Sequence, residues 1–317
     1  MMSNLLTLLL GVTGGVLLYY GADFLVAGGV GIARKLRIPN LIIGLTMVAF
    51  GTSAPELTVS IDAALRGKGD ISVGNVIGSN ICNIALILGL CAVVRALPVN
   101  RQVLKGDLPV MTAATLALTG LLYFTNGIPR WGGLLFVVMM ACYLAWLFIS
   151  AKRSKEMRES LSGEISEGEV GALWKSLLQF AGGLVALIFG AKYFVSGAVC
   201  AARLLSIPEA AIALTVVAIG TSLPELAASL IATIKGETDI AVGNIIGSNI
   251  WNILCIMGVS PLIKPIVLRD IKPLDIAALI FISLSAIPIL MTGKKVNRAE
   301  GAFWLLCYGT YMYLLFG

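Results

Sequence analysis

Uncharged apolar stretches of about 20 residues recur from end to end of this 317-residue chain. Each is long enough to cross the roughly 30 Å hydrocarbon core of a bilayer as a helix. Charged residues make up 13% of the sequence and hydrophobic residues 58%, whereas a soluble domain carries about 25% charged residues. The chain therefore reads as an all-α integral membrane protein. No positive charge precedes Leu5, and the first apolar run continues to about residue 33. That run reads as a first transmembrane helix, not as a cleaved signal.

Composition also narrows the chemistry. The net charge of +6 sits in short clusters between apolar runs, the pattern of loops that orient a membrane protein. Nucleic acid is not an expected partner. Cys82, Cys91, Cys142, Cys200, Cys255 and Cys307 lie within or beside apolar segments and form no CxxC pair. They read as buried free thiols. The chain has no histidine, so a zinc or copper site of the usual ligands is not expected. No nucleophile–base pair or cofactor motif suggests an enzyme. No cofactor and no protein partner is implied, only the lipid bilayer.

The chain is internally duplicated. Gly51-Thr52-Ser53-Ala54-Pro55-Glu56 returns as Gly220-Thr221-Ser222-Leu223-Pro224-Glu225, and Ile71–Asn83 returns as Ile240–Asn252. The offset is 169 for both motifs, from Glu56 to Glu225 and again from Asn80 to Asn249 and Asn83 to Asn252. Five spans per unit are expected, at about 4–33, 39–66, 71–94, 107–125 and 131–150, then 172–202, 208–235, 240–263, 273–291 and 299–316. Residues 1–151 form the first repeat, 152–171 a polar linker and 172–317 the second repeat. Because five is odd, the second unit enters the membrane from the opposite side. The result is ten transmembrane helices as two inverted five-helix repeats, a transporter architecture with its sites near the midplane.

Fifteen basic residues, including those of the linker, fall on one side of this plan and seven on the other, with Lys192 inside a span. The richer side is expected to be cytoplasmic. Both termini are then outside and the linker inside, in a multi-pass protein of the cell membrane. Spans one and six, about 30 residues long, exceed the bilayer core and must tilt or overrun it.

Of the 17 acidic residues, most fall in loops or at helix ends, Asp107 among them. Asp23, Glu56, Asp62 and Glu225 lie within spans, and only Glu56 and Glu225 recur at the repeat offset. A mid-span carboxylate costs several kcal/mol unless compensated. No nearby basic residue does so, which leaves a bound cation or a proton. Thr52 and Ser53 share a helical face with Glu56. Pro55 and Pro224 should kink their helices and free carbonyls around Ala49–Gly51 and near Ala218. Ser79 with Asn83, and Ser248 with Asn252, add oxygens on one face of the next span. Oxygen-only ligation suits Ca²⁺ or Na⁺. The glycine pairs Gly74/Gly78 and Gly243/Gly247 read as helix packing. Asn75, Asn80, Asn244 and Asn249 read as interhelical hydrogen-bonders. Asp23 and Lys192 are repeat-equivalent but fall in opposite leaflets, so they should not pair.

The two GTS-x-PE copies, each followed by G-N-x-I-G-S-N-I-x-N, resemble the alpha repeats of the sodium/calcium exchanger family of calcium/cation antiporters. The resemblance implies four ion sites at the centre of the inverted repeats. The implied ligands are Ala49, Thr52, Ser53, Glu56, Ser79 and Asn83 from the first half. The second half would supply Ala218, Thr221, Ser222, Glu225, Ser248 and Asn252. It also implies that spans one and six slide over a fixed core. Several family members carry Asp where this chain has Asn252, so the ionised site here holds two negative charges. The expected function is Ca²⁺/Na⁺ antiport by alternating access. H⁺/Ca²⁺ antiport is the alternative, and a passive cation channel is disfavoured by the inverted repeat.

Overall fold

A computed structural model describes residues 2–153, 172–205 and 220–316. Most of the linker, and the segment that holds Ala218, lie outside the described residues. The helices are α1 (Met2–Leu36), α2 (Asn40–Thr52), α3 (Ala54–Leu65), α4 (Gly69–Val94), α5 (Val103–Thr125) and α6 (Arg130–Arg153). They continue as α7 (Leu173–Leu204), α8 (Leu223–Lys235), α9 (Thr238–Ile263), α10 (Pro273–Met291) and α11 (Arg298–Phe316). Among the described residues seven helices are long and apolar enough to cross a membrane. The α2–α3 pair, bent by 45°, is an eighth span if taken as one.

The bend falls where proline dictates. Ser53 leaves helical geometry (φ −80°, ψ 5°), and Pro55 sits in the first turn of α3, where a missing N–H costs nothing. Ser222 (φ −87°, ψ 5°) and Pro224 repeat this geometry at the start of α8. One expectation needs correcting. The Ala49 carbonyl is not freed by the kink, because it accepts the Ser53 N–H at 3.0 Å.

The layering follows burial. In the most apolar stretches of α4 and α9, 78% and 89% of residues are buried, against 22% in α1 and in α7. α4 and α9 therefore form the centre, and α1 and α7 present Leu5, Val12, Leu178 and Val185 to lipid. α1 and α7 run antiparallel along a seam of glycines spaced by heptads. A Cβ on Gly21 would stand 2.9 Å from Leu187 N, and one on Gly190 would stand 2.9 Å from Leu18 N. Small residues allow this backbone-to-backbone approach where no hydrophobic effect drives helices together. Gly243 and Gly247 pack the same way against Leu41 and Leu45 of α2. A Cβ on Gly74 or Gly78 would meet no described residue within 4 Å. The thiols are less uniformly buried than expected: Cys82 and Cys91 are buried, Cys142 is exposed and the other three are intermediate. Cys142 lies on a face of α6 that is otherwise apolar and open to lipid, with Val138 and Trp146.

Two short antiparallel pairings tie the halves together. β1 (Leu97–Pro98) pairs with β4 (Lys295–Val296), and β2 (Gly127–Ile128) pairs with β3 (Ile266–Val267). They are copies of each other once the repeat offset is allowed to change. Leu97 pairs with Val296 and Ile266 pairs with Ile128. Leu97 and Ile266 stand at the full repeat offset, but Ile128 and Val296 stand one position closer. The shorter offset also relates Arg130 to Arg298, Gly133 to Gly301 and Asp107 to Asp275. One residue is lost between the third and fourth spans.

This register corrects the placement of Asp107. It is fully buried, within a π-helical first turn (Val103–Asp107) of α5, and accepts the Tyr143 hydroxyl at 2.9 Å. Asp275 accepts Tyr311 at the same 2.9 Å. The helix starts earlier than expected and carries Asp107 into the packed interior, where the tyrosine satisfies one carboxylate oxygen.

Candidate cation site

α2, α3, α4, α8 and α9 converge on Glu56 and Glu225, which are 0% and 1% exposed. Each glutamate lies in the first turn of its helix, where the positive end of the helix dipole favours a negative charge. Asparagines hold both helices in place. Asn75 donates to the Glu56 carbonyl (3.2 Å) and to Ser60 Oγ (3.0 Å). Asn244 does the same with the Glu225 carbonyl (3.5 Å) and Ser229 Oγ (2.9 Å). These are the interhelical roles expected of them. Ser60 and Ser229 escaped the sequence reading, although they too stand at the repeat offset.

The serines act across the repeats. Spacing puts Ser53 on the face of Glu56, but its hydroxyl donates to Glu225 Oε1 at 3.0 Å. Ser222 reciprocates to Glu56 Oε1 at 3.3 Å, and Ser79 donates to the same oxygen at 3.4 Å. Ser222 also lies 3.3 Å from Ser79 Oγ. Thr52 and Thr221 approach Glu225 and Glu56 respectively. Thr52 Oγ1 stands 3.1 Å from Asn244 Oδ1 and 3.4 Å from the Ala49 carbonyl. The site is thus a single constellation built by two half-motifs, each serving the other's carboxylate.

The remaining oxygens are buried without partners. Among the described residues Glu56 Oε2, Glu225 Oε2, Ser248 Oγ, Asn83 Oδ1 and Asn252 Oδ1 make no hydrogen bond. Each such atom costs about 1–3 kcal/mol unless something satisfies it. Asn83 and Asn252 lie in π-helical segments, Cys82–Leu88 and Trp251–Ile256, a wider turn that often marks functional positions. Asn252 Nδ2 is held at 3.0 Å by Asn80 Oδ1. Carboxylate, amide and hydroxyl oxygens are the donor types that suit a hard cation. Ala218 lies outside the described residues. No third carboxylate joins the two glutamates among the described residues.

Comparison with known proteins bears on the family of the chain and on its overall fold. The profile of the family described as "Sodium/calcium exchanger protein" matches residues 6–149 and 175–317. The chain is 34% identical to the sodium/calcium exchanger MaX1 of Methanosarcina acetivorans over 352 residues, covering 99% of this chain and 98% of that protein. It is 35% identical to the inner membrane protein YrbG of Escherichia coli, covering 93% and 96%. A solved structure of the sodium-calcium exchanger NCX_Mj superposes with a TM-score of 0.81 at 32% identity, covering 98% of this chain and 99% of that one. This multi-pass membrane chain belongs to the sodium/calcium exchanger family.

Proposed function

We propose that this chain is a secondary active antiporter that exchanges Ca²⁺ for Na⁺ by alternating access at the Glu56–Glu225 site. The observation that carries this reading is the pair of buried carboxylates, each with one oxygen lacking a partner, together with three more partnerless oxygens of the expected ligand set on α4 and α9. A Ca²⁺ or a pair of Na⁺ would neutralise the carboxylates and complete those oxygens. The transported ions bind as substrates, and the proposed ligands are those named from the sequence. Calcium uptake into proteoliposomes tests the reading. An outward-directed Na⁺ gradient at equal pH is expected to drive uptake. Uptake that follows only a proton gradient would replace Na⁺ by H⁺, carried on the same two glutamates.

The architecture we infer is ten spans in two inverted five-helix repeats, with α2–α3 and α8 as parts of equivalent broken spans. The cross-repeat pairing of β1 with β4 and of β2 with β3 supports it, because each pair joins loops that inversion places on one face. Asp70 supports it too, accepting the N–H groups of Arg269 (2.9 Å) and Asp270 (3.2 Å). On this plan both termini are outside and the linker is cytoplasmic. A single cysteine placed in the linker is expected to react with a membrane-impermeant thiol reagent only from the inside. Labelling only from outside would invert the orientation and leave the fold intact. The glycine seam supports movement of α1 and α7 as a pair over the α4–α9 centre.

A further inference from the structure

A crevice of about 510 Å³ reaches the site between α3 and α7, lined by Pro55, Thr58, Ala191, Lys192, Ser196 and Thr221. Thr221 lines the crevice and its side chain approaches Glu56, so the crevice runs from the exterior to the edge of the candidate site. Lys192 is a charged residue well inside α7, where an ionisable side chain is costly without a reason. Its side chain is exposed, and no described residue pairs with its ammonium.

The pseudo-symmetry shows what is unusual about it. At the repeat offset, the equivalent of Lys192 is Asp23 and the equivalent of Lys235 is Arg66. In one half Lys235 forms an ion pair with Asp23, so that position is neutral. In the other half the equivalents are both cationic and cannot pair. Arg66 turns instead to Asp62 on its own helix, at 2.8 Å. Asp62 has no acidic counterpart, since Ile231 stands at the equivalent position. Arg66 is thus neutralised and Lys192 is left as a net positive charge on the crevice wall.

We propose that Lys192 is a specificity-determining residue, a fixed positive charge in the outer access crevice that disfavours Ca²⁺ relative to Na⁺ on that face alone. The proposal rests on the antiport reading above. A wall potential acts on each ion in proportion to its charge. The Boltzmann penalty for a divalent ion is therefore the square of that for a monovalent one. Salt screens the effect over about 10 Å at 0.1 M. Because the charge sits on an access route, it alters apparent affinity on one face and leaves the coupling ratio untouched.

The test compares wild type, Lys192→Gln and Lys192→Arg in oriented proteoliposomes at low ionic strength. Lys192→Gln is expected to lower the apparent KM for Ca²⁺ on the crevice face by about two- to fivefold. The change for Na⁺ should be about the square root of that factor. Lys192→Arg should match wild type, high inert salt should erase the difference, and the reversal potential should not move. An unchanged KM for Ca²⁺, equal factors for the two ions, or an equal effect on both faces overturns the proposal. Absence of gradient-driven uptake by wild type would instead overturn the antiport reading. Stopped-flow calcium association with the purified proteins still reads the lysine in that case. Lys192→Gln must associate faster at low salt, and equal rates overturn the proposal.

Discussion

Purified Glu56→Gln and Glu225→Gln proteins are expected to fold and insert normally and to lose calcium transport to background. The amide oxygen of glutamine can still accept Ser222 and Ser79 at position 56, or Ser53 at position 225. The local hydrogen bonds therefore survive. What is lost is half of the negative charge in a site where both carboxylates are fully buried. Removing one partner of a buried charge pair costs on the order of 3–5 kcal/mol, and roughly every 1.4 kcal/mol is tenfold in affinity. Calcium affinity should fall by roughly a hundredfold or more. Without ions, each variant should be at least as heat-stable as wild type, because two adjacent carboxylates no longer share one cavity. Calcium-dependent stabilisation should vanish with transport. Near-normal flux through either variant would end the two-glutamate reading.

Parts of the molecule differ in how much of them the sequence revealed. Glu56, Ser79, Asn83 and their repeat partners stood out because a constant offset marks them, and the structure gathers Glu56, Glu225, Ser53, Ser79 and Ser222 into direct contact. The break at Pro55 was legible from local chemistry, because proline fits the first turn of a new helix better than a helix interior; at Pro224 the described residues show the same non-helical Ser222 just before it. The direction of the serine hydroxyls was not legible. Helical spacing fixes which residues share a face of one helix, but Ser53 and Ser222 leave that geometry at the break. Each then crosses to the other repeat. The matching Asp107–Tyr143 and Asp275–Tyr311 pairs were missed because their offset is one position shorter. A search allowing one deletion between spans would have found them through Arg130/Arg298 and Gly133/Gly301 as well. Which acids at span boundaries are buried was likewise opaque. Asp107 and Asp70 both stand near an expected span boundary, yet one is sealed against Tyr143 while the other caps an exposed loop through Arg269.

Asn252→Asp is expected to change how sodium competes with calcium more than it changes folding. A neutral amide offers an oxygen to a cation and cannot titrate. With Asn83 and Asn252 both buried and each carrying an amide oxygen without a partner, the ionisable charge of the site comes from the two glutamates. On the proposed antiport reading, one Ca²⁺ or two Na⁺ satisfy that charge equally, and the two ions are expected to exclude each other. A third Na⁺ would add a net positive charge in a poorly hydrated cavity, where it is costly. Wild-type calcium binding should therefore fall across a sodium titration with a Hill coefficient near two. The aspartate variant supplies the missing charge, and its Hill coefficient should rise toward three. Position 252 also donates to Asn80 Oδ1 at 3.0 Å, and aspartate cannot. Reorientation of the Asn80 amide restores that bond at the expense of its 3.5 Å contact to the Asn249 carbonyl, a cost of about 1 kcal/mol. Folding should survive that cost. Equilibrium calcium binding at constant ionic strength and pH decides the matter. If sodium leaves calcium affinity unchanged in wild type while a proton gradient alone drives uptake, the two glutamates carry protons and the sodium reading falls.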